Sequence, residues 1–159
     1  MTAAPAFDFH CHSLCSDGAL APQALIELAA ERGLQQLAIT DHDTTAAYTR
    51  QLSDQATDAQ ITLVSGCELS CLWQRRSIHV VGLNIDLAHP VFVQAMGEQA
   101  QARDRRAEKI TAVLQRMGFS LELAHIQRIA GDGVVGRPHF AEYLVRTNQM
   151  PSMAAAFKR

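Results

Sequence analysis

Imidazoles and carboxylates recur at the ends of short apolar runs in this chain: Phe9-His10-Cys11-His12, then Asp17-Gly18, then Ile39-Thr40-Asp41-His42-Asp43, then Gly66-Cys67-Glu68, then Ser77-Ile78-His79. The runs alternate in type. Ala6 to His10, Gln35 to Thr40 and Ile61 to Ser65 are short and strand-like. Between them lie two helix-like stretches. One is Ala21 to Arg32, with Pro22 in its first turn and Gly33 just past its end; the other is Thr44 to about Ala56, with Asp43 or Thr44 placed to cap it. Strands that alternate with helices predict α/β architecture with parallel strands, because a parallel pair needs a crossover that a helix supplies. In such folds the polar groups at the C-terminal ends of strands gather on one rim, so residues remote in sequence are expected to converge.

The residue types at those ends point to metal chemistry. A strand carries residues i and i+2 on one face, so His10 and His12 can turn both imidazoles to one ion while Cys11 faces the other way. Asp17 follows on the turn after that strand, Asp41 and His42 follow the second, Glu68 follows the third and His79 sits in a later run. One His-x-His pair is weak evidence of a site, and its repetition with carboxylates at other strand ends is stronger. Neutral imidazoles with carboxylates suit zinc, manganese or iron, whereas a thiolate-rich set would suit structural zinc. The two oxygens of Glu68 can bridge ions about 3.5–4 Å apart, a spacing that suits in-line attack at phosphorus. Three ionisable side chains in Asp41-His42-Asp43 are costly at a strand end unless paired or metal-bound, which makes His42 a ligand. Asp41 either orients an imidazole or acts directly, and Asp43 either acts directly or caps the next helix.

Composition narrows the alternatives. A chain of 159 residues, 48% hydrophobic and 19% charged, can bury one core. Fourteen Lys and Arg against 16 Asp and Glu leave a net charge of -2, so no global basic field favours nucleic acid and no stable duplex binding is expected. Met1 to Ala6 has no basic start, and nowhere do about 18 apolar residues run together, so a cytoplasmic protein with no membrane partner is expected. Cys11, Cys15, Cys67 and Cys71 form two pairs with three residues between partners. A zinc ribbon competes with buried, reduced thiols that pack as small hydrophobes, and the thiols are the expectation.

Beyond Glu68 the pattern changes. Glu68 to Trp73 and Ser77 to Leu83, joined by Gln74-Arg75-Arg76, predict a hairpin with a solvated tip. From Pro90 onward the pattern is helical only: to about Met117, stopped by Gly118; from Leu121 to Ala130, with Ser120 as cap; from Pro138 to Arg146; and from Pro151 toward Arg159. A boundary therefore falls near residue 88. His89 is expected to serve helix entry and His125 to be structural. Arg103, Arg105, Arg106 and Lys109 share a helix with Asp104 and Glu108, which predicts a solvated face. Arg137 and His139 flank Pro138 at a helix start, where N–H groups and a guanidinium can hold phosphate.

Asp8-Phe9-His10-Cys11-His12-Ser13, with Ser16-Asp17-Gly18 and Ile39-Thr40-Asp41-His42-Asp43-Thr44, resembles the opening motifs of the polymerase and histidinol phosphatase (PHP) superfamily. Gly66-Cys67-Glu68-Leu69-Ser70 and Ile78-His79-Val80-Val81-Gly82 resemble its next two. The helical insertion with Gly136-Arg137-Pro138-His139 is similar to the TrpH-like branch, which includes nucleoside 3′,5′-bisphosphate phosphatases and 5′-to-3′ exoribonucleases of the RNase AM type. The resemblance implies a distorted (β/α)7 TIM-like barrel, with 1–88 its first part and 89–159 an all-helical insertion. It implies a trinuclear site, commonly manganese, with zinc, iron or magnesium as alternatives. His10, His12 and Glu68 would serve one ion, Glu68 and His79 a second, and Asp17 with His42 a third. Asp17, His42 and Glu68 would carry catalysis by a metal-activated hydroxide, and Arg137 and His139 would bind substrate.

The family's later ligands, another histidine and an Asp-x-His, do not appear before Arg159, so the barrel is expected to be incomplete here and the chain to be a fragment. The implied function is metal-dependent hydrolysis of phosphate esters of small nucleotides, or 5′-to-3′ cleavage of short oligonucleotides. A histidinol-phosphatase-type metabolite phosphatase and a non-catalytic metal- or nucleotide-binding module are the alternatives.

Overall fold

The computed structural model describes residues 6–158, so Met1 to Pro5 of the expected leaderless start and Arg159 of the last expected helix lie outside the described residues. Three short strands, β1 (Phe7–Cys11), β2 (Gln36–Ile39) and β3 (Thr62–Leu63), lie parallel in the order β1-β2-β3. The helices α1 (Pro22–Glu31) and α2 (Arg50–Asp58) make the crossovers between them. Phe7 pairs with Gln36 and Asp8 with Leu37, but Cys11 meets Ile39, so β1 carries an extra residue around His10. Such a bulge re-aims side chains beside it, and the His10 N–H here donates to the Asp8 carboxylate at 3.0 Å.

The core behind this sheet follows from its apolar faces. Ile26 and Ala29 of α1 and Leu52 and Ala56 of α2 pack on Leu37 and Ile39 of β2, with Ala47 and Ile61 completing the cluster. Ile26, Ile39 and Leu52 are fully buried, and each contributes about 1.5–3 kcal/mol relative to exposure. Tyr48 closes the gap where β3 is too short to continue the ladder. Its hydroxyl accepts the Ile39 N–H (3.0 Å) and lies 2.7 Å from the Ile39 carbonyl and 2.8 Å from that of Val64.

The expected helix over Thr44 to Ala56 is corrected here. α2 begins at Arg50, and its cap is Thr49, whose hydroxyl accepts the Leu52 N–H. Asp43 cannot cap it because its carboxylate is held by Ser70 and Arg103. The segment between must also deliver Tyr48 to the strand ends, which delays the helix.

β4 (Gly66–Trp73) and β5 (Arg76–Leu83) form an antiparallel hairpin paired from Gly66 with Leu83 to Trp73 with Arg76. Its two-residue tip, Gln74 and Arg75, has φ of +47° and +65°, the handedness that suits tight hairpins. The hairpin joins the parallel sheet through a bridge between His42 and Glu68, with Asp43 N–H donating to the Glu68 carbonyl (3.0 Å) and Glu68 N–H to that of Asp41 (3.2 Å).

The helices α3 (Pro90–Arg116), α4 (Leu123–Ala130), α5 (Arg137–Arg146) and α6 (Met153–Phe157) follow. A second core gathers Ala107, Leu121, Ile126 and Phe140. As expected, His89 caps α3 through Nδ1 and His125 is structural, bonded to the Tyr143 hydroxyl at 3.0 Å. Ser120 is not the cap of α4, a second correction. Its N–H and carbonyl are both taken by the Gln149 side chain, and the helix starts at Leu123.

The four cysteines are free thiols, Cys67 fully buried. Burial, with nearby carboxylates, pushes Cys11 up to about 12 and Cys67 up to about 11, which keeps them unreactive at neutral pH. Among the described residues no helix is long and apolar enough to cross a membrane.

Candidate metal centre

Glu68, 8% exposed, stands third in β4 with four imidazoles around it. Its Oε2 lies 2.9 Å from His10 Nε2, 3.1 Å from His12 Nε2 and 3.8 Å from His42 Nδ1, and its Oε1 lies 2.8 Å from His79 Nδ1. Asp17 faces the same group: Oδ1 is 3.7 Å from His12 Nδ1 and Oδ2 is 3.8 Å from His42 Nε2. The structure thus gathers all six expected ligands. They fall into three overlapping sets, His10–His12–Glu68, His12–Asp17–His42 and His42–Glu68–His79, with the donor atoms of each within 4.8 Å of one another.

The donor set fits divalent ions. Nδ1 of His12 and Nδ1 of His42 are buried and make no hydrogen bond, an arrangement that costs about 1–3 kcal/mol per polar atom when nothing pairs it. An ion beside Asp17 would satisfy His12 Nδ1, and one beside Glu68 would satisfy His42 Nδ1. Burial pushes the His42 imidazole below its ordinary value, and His12 and Arg103 act the same way against the pull of Asp17 and Glu68. A neutral imidazole is the form that ligates. Burial would raise the Glu68 carboxyl, but hydrogen bonds from His10 and His79 and the neighbouring imidazoles outweigh it and hold Glu68 below its usual range. The carboxylate is therefore ionised and ready to bridge.

Local devices place three of the ligands, His12, Asp17 and His42. His12 and Asp17 sit on a loop wrapped around Asp41, which is 1% exposed. Its carboxylate accepts Ser13 N–H at 2.7 Å, Ser13 Oγ at 2.6 Å and Ser16 Oγ at 2.5 Å. Asp41 therefore holds a loop, and its carboxylate bonds no imidazole among the described residues. Gly18 closes that loop with its N–H on the Ser13 carbonyl (2.9 Å), and a Cβ there would collide with the His12 carbonyl. His42 is delivered by its bridge to Glu68 of β4, and Asp43 beyond it adopts φ +52°.

A cavity of about 250 Å³ opens beside the cluster, with Asp17, His42, His79 and Ser70 in its wall together with Arg103, Arg106 and Arg137. The expectation of a solvated arginine face fails for Arg103. Its side chain is 13% exposed and its Nε donates to Asp43 Oδ2 at 2.6 Å. Arg103 falls on the stripe of Ala107, Ile110 and Leu114 that packs on the second core, whereas Arg105 falls outside it, so the spacing held a signal that the surrounding run of charges masked. Arg137 reaches the cavity wall at the start of α5. His139 is buried, and its Nδ1 accepts the Gly136 N–H at 2.9 Å, which fixes the first turn of that helix.

The chain is 40% identical over 154 residues to a protein of Escherichia coli (strain K12) named 5′-3′ exoribonuclease Rnm, covering 96% of this chain and 53% of that one. It is 33% identical over 153 residues to one of Chromobacterium violaceum named 3′,5′-nucleoside bisphosphate phosphatase, covering 96% of this chain and 53% of the relative. A solved structure of an amidohydrolase from Chromobacterium violaceum, with bound sulfate and no metal, superposes with a TM-score of 0.86 at 33% identity over 96% of this chain and 54% of that one. The chain spans about half the length of the curated relatives it matches. The sequence pattern of the PHP domain matches residues 8–150, which include all six clustered side chains, and the chain belongs to the PHP domain family.

Proposed function

We propose that the chain carries the metal-binding part of a phosphoesterase that hydrolyses phosphate esters of small nucleotides, 3′,5′-bisphosphonucleosides among them, or trims short oligonucleotides from the 5′ end. The observation that carries this reading is the convergence of four imidazoles on the carboxylate Glu68, with Asp17 against two of those rings, beside a cavity that also bears guanidinium groups. The names of the relatives, an exoribonuclease and a nucleoside bisphosphate phosphatase, favour a nucleotide substrate over another phosphorylated metabolite. Residues 1–88 are read as the first part of a distorted (β/α)7 barrel and 89–159 as its helical insertion.

In this reading His10, His12 and Glu68 hold one ion, Glu68 and His79 a second, and Asp17 with His42 a third, with manganese as the native metal. Divalent ions there lower the pKa of water and offset charge on phosphate oxygens. Glu68, ionised and flanked on both oxygens, is the shared bridge. His42, kept neutral by burial, offers a ring nitrogen on each side, one toward Asp17 and one toward Glu68. Arg137 binds a phosphate that does not react, and His139 supports it by fixing the turn from which Arg137 projects.

The intact protein supplied with manganese should release inorganic phosphate from a 3′,5′-bisphosphonucleoside, and His42→Ala should abolish release. Unchanged turnover in His42→Ala would sink the assignment. A parallel assay with histidinol phosphate separates the metabolite-phosphatase alternative.

A further inference from the structure

Among the described residues, Arg103 is the one guanidinium of the cavity wall whose three nitrogens are all engaged by the protein. Its Nε donates to Asp43 Oδ2 at 2.6 Å, its Nη2 to Ser70 Oγ at 3.4 Å and its Nη1 to the Val135 carbonyl at 3.5 Å. These partners lie on three separate elements: the turn after His42, the β4 strand that carries Glu68, and the loop that leads into Arg137. The same strap is doubled by Ser70, whose N–H donates to Asp43 Oδ1 at 2.6 Å and whose carbonyl accepts Gln99 Nε2 of α3 at 2.8 Å. Among the described residues Arg106 and Arg137 form no ion pair, although both line the same cavity.

The three arginines therefore divide into two kinds. Arg106 and Arg137 offer unneutralised charge to the cavity. Arg103 is neutralised by Asp43 and spends its fork on bridging the ligand-bearing loops to the insertion. A lysine could not make those three contacts, because a single ammonium lacks the planar fork.

We infer that Arg103 is a positioning residue that sets the separation between the metal-ligand cluster and the guanidiniums of Arg106 and Arg137, and thereby selects substrates whose two phosphates match that separation. The inference rests on the proposed phosphoesterase reading for its substrate class. Engagement of two anions on one ligand strengthens binding only while the geometry allows both at once, so loosening the strap removes the advantage of the second phosphate and leaves the first.

The test uses equilibrium binding to the intact, manganese-loaded protein, measured by titration calorimetry. The probes are a nucleoside 5′-phosphate 3′-methylenephosphonate, in which carbon replaces the ester oxygen, and the same compound without its 5′-phosphate. The wild type should bind the two-anion probe at least about tenfold more tightly. Arg103→Met should bring that ratio close to one while affinity for the one-anion probe and metal content stay within about twofold, and Arg103→Lys should fall with Arg103→Met rather than with the wild type. Arg105→Met, on the exposed side of the same helix, should change neither. Free guanidinium added to an Arg103→Ala variant should restore part of the ratio.

Three results would overturn the inference: a wild type indifferent to the second phosphate, an Arg103→Met variant with the wild-type ratio, or one that loses both probes equally. A wild type that shows the ratio yet turns over no phosphate ester would overturn the proposed function and leave the positioning role standing.

Discussion

Replacing Asp41 by alanine separates the loop that carries His12 and Asp17 from its anchor. The carboxylate accepts three hydrogen bonds of 2.5–2.7 Å from Ser13 and Ser16 in a fully buried setting. The two hydroxyls can re-aim, but the Ser13 N–H cannot, and each buried donor left unpaired costs about 1–3 kcal/mol. A loss of about 2–3 kcal/mol is expected for Asp41→Ala, in the upper part of that range because the stranded donor had a charged acceptor. Asp41→Asn keeps an acceptor for two of the three donors and should cost about 1–2 kcal/mol. Because the loop positions two of the six ligands, metal affinity should also fall, by about 10–100-fold as for other supports of ligand geometry. Urea unfolding of the metal-free intact protein measures the first effect and a manganese titration the second. An alanine variant within about 0.5 kcal/mol of wild type and with unchanged metal affinity would refute the anchoring role.

Tyr48→Phe deletes the hydroxyl that receives the Ile39 N–H and bonds the strand-end carbonyls, and the urea midpoint should report a loss of about 1–3 kcal/mol; no shift would mean that water replaces the hydroxyl. His139 gives a pH signature. Burial, the largest cause, holds its imidazole below the ordinary value, with Arg103 acting the same way against Glu142 and Asp17. The unfolded chain therefore takes up the proton first as pH falls below about 6.5, and stability is lost through that window. His139→Asn keeps an acceptor for Gly136 and should flatten the dependence between about pH 7.5 and 5.5, whereas a steeper fall in the variant would contradict the burial argument.

The parts of this molecule that were legible in the sequence are those where one physical cause dominates. Strand ends after apolar runs bear His10, His12, His42 and Glu68 on one rim, and the helix entries at Pro22 and Pro90 carry prolines that suit a first turn but not a helix interior. The failures come where one residue type serves two uses. An aspartate before a polar run is as good a helix cap as an ion-pair partner, and Asp43 is the partner because Arg103, 60 residues away, reaches it. Ser120 could cap α4 by composition, yet Gln149 claims its backbone from 29 residues away. Asp41 shows the same limit: its position beside His42 suggested an imidazole partner, and its contacts instead run to Ser13 and Ser16. Long-range polar pairing leaves no periodic trace, so it becomes visible only once the elements are packed.

Metal stoichiometry tests the central claim most directly. Elemental analysis of the intact protein equilibrated with manganese and desalted should find about two or three ions per chain, and Glu68→Gln, which removes the shared charge, should keep about one or none. A wild type holding no more than one ion, or a Glu68→Gln variant with the wild-type count, would contradict a polynuclear centre built around Glu68.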